Sequence, residues 1–192
     1  SLTDGRVDGL VLLDVFDEAL VGRLAASSTP VVSLVNALPG IPSVVADDEG
    51  GERLMLDYLL ARGVRTLLVH EAGARGNSVA RREAAFIAAA EARGVPWRAC
   101  PARTVDASEL GWLAARDFEP PAVFVTWMDV FAYTFIAACA RLGLRLPEDV
   151  GVVGFDDLPR PDAPLVRLTT LHAPWEQVGL SAIDHLMTLH NG

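Results

Sequence analysis

Two adjacent aspartates, Asp156 and Asp157, follow a segment that has the composition of a buried parallel strand. The segment at 150–155 contains three valines and no charged residue, which is typical of a strand covered on both faces. In open α/β sheets, ligands bind outside the carboxyl ends of the strands, where a carboxylate can accept hydrogen bonds from a polyol or a protonated base. Two interpretations are open: at least one of the two aspartates contacts a ligand, or they cap the turn that follows.

Two other predicted strands are also followed by side chains that could face the same crevice. These side chains are Asn77, Ser78, Arg81 and Arg82 after the strand at 65–69, and Trp127, Met128 and Asp129 after the strand at 122–126. A guanidinium facing a carboxylate, with an aromatic ring nearby, suits a sugar or another small polar metabolite, because the charged groups bond hydroxyls in pairs. The arginines could instead lie in a solvated helix turn, Trp127 and Met128 could pack in the core, and Asp129 could cap the next helix.

Catalytic and metal-binding signatures are not found in the sequence. It has no GxGxxG after the first strand, no GxxxxGK[ST], no GxSxG and no CxxC or HxxxH pair. His185 and His190 are five residues apart on a predicted helix and do not share a face, while His70 at a strand end is either a pocket residue or a solvated or core-edge histidine. No catalytic residue, metal site or cofactor is therefore predicted.

Composition narrows the class of protein. The 192 residues are 51% apolar, and 16 basic against 25 acidic residues give a net charge of −9, which argues against a surface for nucleic acid or anionic membrane. No apolar run reaches the length of a membrane span, and the first residues lack the pattern of a signal peptide. Cys100 and Cys139 indicate no disulfide framework, so a reducing cytoplasm is the simplest compartment.

Strand-like and helical segments alternate along the chain. Strands are predicted at 7–13, 30–35, 43–46, 65–69, 97–100, 122–126, 150–155 and 168–171. Helices are predicted at 17–26, 48–62, 78–93, 108–117, 129–142 and 175–189. Strands that alternate with crossover helices predict an α/β fold with parallel sheets, and a boundary near Gly63 separates two Rossmann-like halves.

Five stretches match motifs that occur in the same order in one protein family. RVDGLVLL (6–13) is similar to RVDGLI, and PVVSLVNALPGIPSVVADDEGG (30–51) is similar to PVVxxDRxxxxxxxVxxDNxxG. SVARREAAF (78–86) is similar to SxxxRxxGF, GLRLPEDVGVVGFDD (143–157) to GLRVPEDVSVVGFDD, and LTTLHAPWEQVG (168–179) to LTTVRQPxxxMG. These stretches are spread from one end of the chain to the other. Through them the sequence resembles the effector-binding domain of the LacI/GalR family of bacterial transcription regulators.

The resemblance implies a periplasmic-binding-protein-like fold of type I, with two Rossmann-like α/β lobes, parallel sheets and a small effector in the cleft between the lobes. Residues 65–173 would form the second lobe, and residues 1–64 with 174–192 the first. The first lobe would be incomplete, because the family's two preceding βα units and its closing strands have no counterpart in this sequence.

The resemblance also assigns site residues. Arg82 falls on the family's effector-binding arginine and Asp156 on its effector-binding aspartate. Ser78 falls where a serine often contacts the ligand, and Asp129, also assigned to the ligand site, falls on the aspartate of the family's AND motif. Met128 replaces the asparagine that reads hydroxyls in sugar-binding members, Trp127 replaces a small residue, and Val35 stands where a polar residue is common. These departures imply a more apolar, deoxygenated or aromatic-bearing ligand than a standard hexose.

The function that the resemblance implies is effector sensing in a cytoplasmic repressor. A sugar or small polar metabolite would control DNA binding by a helix-turn-helix domain that this sequence lacks, and operator DNA would be contacted only through that domain. The helix at 129–142 would lie near a homodimer interface, with Phe131 and Tyr133 either as apolar anchors or as parts of the core. The alternatives are the solute-binding protein of a transporter, which shares the fold, and an enzyme on a Rossmann-like scaffold.

Overall fold

The structure, a computed structural model, describes residues 7–15, 17–71, 77–100, 111–115, 118–158 and 167–191. The elements in chain order are β1 (Leu10–Leu13), α1 (Glu18–Ala25), β2 (Val31–Leu34), β3 (Ser43–Val44), α2 (Asp48–Ala61), β4 (Thr66–His70), α3 (Asn77–Ala92), β5 (Trp97–Cys100), α4 (Gly111–Ala114), β6 (Ala122–Val125), α5 (Asp129–Arg141), β7 (Gly151–Asp156), β8 (Thr169–His172) and α6 (Trp175–Asn191). Residues 108–110 and 116–117 of the helix predicted at 108–117 lie outside the described residues.

The chain is divided into two compact units. The first unit contains Ser1–Asp47, Gly76–Ser78 and Pro174–Gly192, and the second contains Asp48–Arg75 and Val79–Ala173. The first unit has a parallel sheet with strand order β1-β2-β3, which α6 contacts, and a core of Leu12, Val21, Leu24, Val31 and Ile41. Asp17 caps α1, because its Oδ1 accepts a hydrogen bond of 3.0 Å from the backbone N–H of Leu20.

The second unit contains a five-stranded parallel sheet with the order β5-β4-β6-β7-β8. Leu67 and Val69 of β4 pack with residues of α2 and α3, whereas Leu68 packs in a separate cluster with residues of α4 and α5. Phe124 of β6 lies in that other cluster, and its ring stacks on Phe135 of α5 at 3.9 Å between centroids. Because both faces of the sheet are covered, its central strands are apolar almost throughout.

The order of these strands creates a switch point between β4 and β6. The chain passes from β4 to β5 on one side and then returns to place β6 on the other side of β4. In doubly wound sheets the carboxyl ends of the two strands at such a point leave a crevice where ligands bind. A ligand site is therefore expected at the carboxyl ends of β4, β6 and β7.

The predicted α/β fold with parallel sheets is confirmed, since every pair of named strands is parallel. Strand β1 begins at Leu10 rather than at the predicted residue 7. The expected lobe boundary lies at residue 64, whereas the boundary between the two units lies before Asp48, because helix α2 is grouped with the second unit. Its Met55, Leu56 and Leu59 pack in the same cluster as Leu67, which explains that grouping.

Two further sequence observations have structural counterparts. No helix in the described part of the chain is both long enough and apolar enough to cross a membrane. Cys100 and Cys139 are buried and free, and burial raises the pKa of the Cys100 thiol to about 11 and that of Cys139 to about 12. Both are neutral thiols packed in the core, without the thiolate character that a nucleophile requires.

Candidate functional site

Arg82 is the centre of a buried polar group at the carboxyl end of the second unit's sheet. Its residue surface is only 2% exposed, although it lies in the second turn of α3. Nε donates to Asp48 Oδ1 at 2.9 Å, and Nη1 donates to Asp156 Oδ1 at 3.2 Å and to the Trp127 carbonyl at 2.8 Å. The guanidinium thus joins α2 to the ends of β6 and β7, and it is not part of a solvated helix turn.

Arg81 and Phe155 complete the surroundings of this guanidinium. Arg81 Nη2 donates to Asp48 Oδ2 at 2.7 Å, so the Asp48 carboxylate receives one hydrogen bond from each of two neighbouring arginines. The ring of Phe155 lies under the Arg82 guanidinium at 3.6 Å from its centroid, a distance at which a cation is attracted by the ring face. Arg82 is therefore fixed by carboxylates at its edge and by an aromatic ring on its face.

Glu52 adds a third carboxyl to this group. It lies one helical turn after Asp48 in α2, is 2% exposed, and its Oε1 has no hydrogen-bond partner among the residues that the structure describes. Burial raises the pKa of Glu52 to about 8, against the attraction of Arg82 and with a smaller contribution from the nearby Asp48 charge. At neutral pH this side chain is therefore mainly a neutral carboxylic acid. We call Asp48, Glu52, Arg81, Arg82 and Asp156 the Arg82 cluster.

Asp156 occupies an unusual backbone position at the end of β7. Its φ is 113° and that of Asp157 is 55°, in the region that L residues other than glycine rarely adopt. Burial raises the pKa of Asp156 to about 6; Arg82 opposes that rise and the Asp129 charge adds to it. Asp157 is exposed, and its Oδ2 lies 3.1 Å from Nδ1 of the exposed His172. Of the two aspartates, only Asp156 is part of the Arg82 cluster.

Positive φ angles mark strand ends in both units. Among the described residues, the non-glycine residues with positive φ are Asp14 after β1, Val35 after β2, and Asp156 and Asp157 at the end of β7. A valine in this conformation is a strong outlier, because its branched Cβ conflicts with the backbone. Such strain concentrates at functional sites in proteins.

Asp129 does not cap α5, in contrast to one of the interpretations from the sequence. The N-cap residue is Met128, which makes no side-chain capping hydrogen bond. The Asp129 carboxylate instead accepts a 2.6 Å hydrogen bond from Thr170 Oγ1 and further hydrogen bonds from the backbone N–H groups of Asp157 and Leu158. Burial raises the pKa of Asp129, while these hydrogen bonds oppose the rise. Asp129 therefore fixes the turn that holds Asp156.

This arrangement predicts opposite effects for two glycine-to-alanine substitutions. A Cβ at Gly154 of β7 would overlap Asp129 Oδ1, so Gly154→Ala is expected to lower the free energy of unfolding by about 1–3 kcal/mol, through overpacking. A Cβ at Gly22, inside α1, meets nothing within 4 Å, so Gly22→Ala is expected to raise it by about 0.5–1 kcal/mol. Urea denaturation followed by circular dichroism measures both. Equal stability of the two variants would contradict the proposed role of Asp129.

Trp127 was a candidate pocket residue, but its ring lies in the core of the second unit. The side chain is 0% exposed, packs edge-on against Phe86 at 5.9 Å between centroids, and donates from Nε1 to the His70 carbonyl at 2.6 Å. Only its carbonyl oxygen takes part in the site, as an acceptor for Arg82. The ring therefore gives no support to the expectation of an aromatic-bearing ligand.

The remaining candidates are more dispersed. Ser78 belongs to the first unit, where its backbone N–H donates to Asn36 Oδ1 at 3.0 Å, and Asn36 Nδ2 donates to Asp14 Oδ1 at 3.0 Å. Met128 is half-buried directly after β6. Phe131 and Tyr133 are half-buried on α5, and the Phe131 ring lies 4.8 Å from the ring of His70, which is a buried residue at the core edge.

Asp48 and Glu52 were not identified from the sequence, although a signal was present. The buried residues of α2 are Asp48, Glu52, Met55, Leu56 and Leu59. Their spacing places the two acids on the same helical stripe as the apolar residues, at positions where a core residue is expected. A carboxylate on a buried stripe requires a partner, and Arg82 is the partner of Asp48. Among the described residues, no group of three or more His, Cys, Asp or Glu side chains could hold a metal ion.

The chain is similar in sequence to proteins of known families. The chain matches the family described as periplasmic binding protein-like domain over residues 56–192. The HTH-type transcriptional repressor PurR of Erwinia tasmaniensis is 28% identical over 204 residues, which cover 95% of this chain and 56% of that protein. The chain therefore spans little more than half the length of this relative.

Solved structures give a similar result. A LacI family transcriptional regulator from Mycobacterium smegmatis is 26% identical, with a TM-score of 0.83 over 100% of this chain and 73% of that one. A putative ribose operon repressor from Burkholderia thailandensis is 28% identical, with a TM-score of 0.76 over 97% of this chain and 72% of that one. Both share the α/β architecture described above.

Proposed function

Because the chain belongs to the family of periplasmic binding protein-like domains, in its LacI/GalR branch, we propose that it senses a small effector for a transcription regulator. The effector is a sugar or another small polar metabolite that binds at the carboxyl end of the second unit's sheet. The observation that carries this proposal is the buried Arg82, bonded to Asp48, Asp156 and the Trp127 carbonyl beside the switch point of the sheet. Because the guanidinium donates hydrogen bonds and the nearby carboxylate accepts them, the two groups can form paired hydrogen bonds with one polar ligand.

Binding exchanges partners within the Arg82 cluster. In the structure Arg82 already donates to Asp156, so an effector has to offer hydrogen bonds that replace this contact or add to it. The strained backbone at Asp156 and the three hydrogen bonds to Asp129 hold the receiving carboxylate in place before the ligand arrives. Such preorganisation lowers the cost of binding.

The relatives favour a regulator over the alternatives. They are named as transcriptional repressors and regulators, which favours a regulator over an enzyme on a Rossmann-like scaffold. A transporter's solute-binding protein would share the fold, but none of these relatives carries that description. One relative is named as a ribose operon repressor, which supports a polar ligand without identifying it.

In the whole protein, the effector would control operator binding by a DNA-reading domain of a cytoplasmic homodimer. The ligand acts by binding one conformation more tightly than another, because only such a difference shifts an equilibrium. Exposed Val130 and half-buried Tyr133 on α5 support this helix as the dimer surface. Tyr133→Glu is expected to convert a dimer into a monomer in sedimentation equilibrium, whereas exposed Glu91→Lys on α3 leaves the mass unchanged.

A matched pair of aspartate substitutions tests the effector site. In a thermal-shift screen of the full chain against sugars, sugar acids, polyols, nucleosides and small aromatics, a ligand at a hundredfold excess over its Kd adds about 2.7 kcal/mol of stability. That corresponds to a rise in Tm of about 5–10 °C for a chain of this size. Asp156→Asn is expected to reduce the affinity at least about tenfold, since it removes a charge-assisted acceptor, and Asp157→Asn to leave it unchanged.

Each other outcome counts against the proposal. A ligand that binds both variants as tightly as the original protein would place the effector elsewhere. Loss of ligand binding only in the Asp157→Asn variant would show that the exposed aspartate is the residue that contacts the ligand. Absence of any stabilising ligand in the screen would contradict the effector class.

A further inference from the structure

Glu52 is the one member of the Arg82 cluster that the proposed function leaves unexplained. Its carboxyl is buried, yet Oε1 has no hydrogen-bond partner among the described residues. A buried acceptor without a donor is costly, so its presence in a native structure requires an explanation, and a bound molecule that donates to it is one. Glu52 lies on α2 one turn from Asp48, which already contacts both Arg81 and Arg82. The unsatisfied oxygen therefore belongs to the site and not to an isolated part of the core.

The charges of the Arg82 cluster balance only while Glu52 is neutral. The charges that act on Glu52 are Asp48 on the same helix and Arg82 on α3. Arg81 bonds Asp48, Arg82 bonds both Asp48 and Asp156, and the Asp129 charge of α5 acts on Asp156. Arg81 and Arg82 both donate to Asp48, and Arg82 also donates to Asp156 and to the Trp127 carbonyl, so these two carboxylates are bonded by the two guanidiniums. An ionised Glu52 would leave one buried negative charge without a cation. An additional positive charge is what this cluster can accept.

We propose that the effector carries a protonated amino group beside its hydroxyls, as in an amino sugar or an amino polyol, and that this group bonds Glu52. This inference rests on the proposed function, since it concerns the same site. A neutral polyol would satisfy the hydrogen bond of Oε1 but not the charge of an ionised Glu52. An anionic ligand would meet three carboxyls and compete with Asp48 and Asp156 for the same guanidinium. The ammonium group supplies both the donor and the charge.

Protons are conserved in this step. Glu52 is a neutral acid before binding, and the ligand arrives with its ammonium group already protonated. When the ammonium bonds the carboxyl, Glu52 gives its proton to the buffer and remains as a carboxylate paired with the ammonium. Binding should therefore release up to one proton per site at pH 7, less the small fraction of free amine that is unprotonated at this pH and takes up a proton on binding.

The test compares amine and hydroxyl partners of the same shape. Calorimetric titration of the full chain would use D-glucosamine against D-glucose, D-galactosamine against D-galactose, and tris(hydroxymethyl)aminomethane against pentaerythritol. At pH 7 the amine of at least one pair is expected to bind about tenfold tighter or more, the gain typical of a charge-assisted hydrogen bond. Titration in two buffers of different ionisation enthalpy then gives the number of protons released.

Glu52→Gln supplies the residue-level test, because glutamine keeps the shape and removes the charge. It is expected to abolish the preference for the amine and the proton release, while exposed Glu49→Gln on the same helix retains both. If Glu52→Gln does not fold, the ligand pairs and the proton count in the original protein still decide.

The possible failures are distinct. Tighter binding of a neutral sugar or a sugar acid, with Asp156→Asn weakening it, would overturn the amine proposal and leave the proposed function intact. An amine that binds without proton release and with equal affinity for Glu52→Gln would also overturn it. No binding by any member of the set or of the wider screen would overturn both.

Discussion

Replacing Arg82 by methionine is expected to lower the free energy of unfolding by about 3–5 kcal/mol, the usual cost of removing one partner of a buried ion pair. Methionine fills much of the volume of the arginine stem, so packing changes contribute little. The loss leaves the buried Asp48 and Asp156 without the guanidinium that bonds both. For a chain of this length the change corresponds to a fall in Tm of about 6–20 °C. Urea denaturation at pH 7 measures it.

Two further variants test whether the loss of stability is specific to the Arg82 cluster. Arg93→Met, directly after the end of α3, removes a partly exposed ion pair with Asp57, which is expected to cost less than about 1 kcal/mol. Adding Asp156→Asn to Arg82→Met removes the carboxylate whose ion pair with Arg82 has been lost, and is expected to restore at least about 1 kcal/mol. If Arg82→Met were no more destabilising than Arg93→Met, the Arg82 cluster would not be the buried network that the distances indicate.

The second large effect is a change in how stability depends on pH. The pKa of Glu52 is about 8 in the folded chain and 4.5 when unperturbed, so the folded state holds a proton that the unfolded state has lost between these values. The contribution of Glu52 to the free energy of unfolding is therefore fully present below pH 4.5. It falls as the pH rises to about 8 and is constant above that pH. In Glu52→Gln this dependence is absent. The variant should become more stable than the original protein as the pH rises.

The window from pH 6.5 to 8 isolates Glu52. The pKa of Asp156 is about 6, so most of its own contribution has been lost below this window. Within it, the difference in unfolding free energy between Glu52→Gln and the original protein should grow by about 1–2 kcal/mol, near the limit of 1.4 kcal/mol per pH unit for one proton. Glu49→Gln, an exposed site on the same helix, is expected to follow the original protein. Parallel curves for all three proteins would show that Glu52 ionises normally.

The elements of the second sheet could be predicted because their residues obey a simple rule. A strand such as β6, with the sequence AVFV, is covered on both faces and is apolar at every position. The pairing of Arg82 with Asp156 was expected only through the family resemblance, since no spacing in the sequence relates two residues separated by 74 positions. The structure adds Asp48 to this pair, and with it a reason for the burial of the arginine.

Other parts of the site could not be read from local patterns. Whether Trp127 faces a ligand or the core depends on the direction in which the chain leaves β6, and the structure turns its ring towards Phe86. Asp129 stands where a capping residue is common, but a tertiary partner, Thr170, takes its carboxylate. Asp48 and Glu52 of α2 were not identified as site residues from the sequence. Their burial follows from packing on β4, which the sequence does not encode locally.

The backbone at the end of β7 limits how this protein could diverge from its relatives. With φ at 113°, position 156 accepts glycine, asparagine or aspartate with the least strain, so a mutation there must satisfy conformation as well as chemistry. Met128, with an extended backbone, and Glu52, inside a helix, carry no such restriction. A change towards a new effector is therefore expected more readily at positions 52 and 128 than at position 156, where backbone conformation and ligand chemistry both limit substitution.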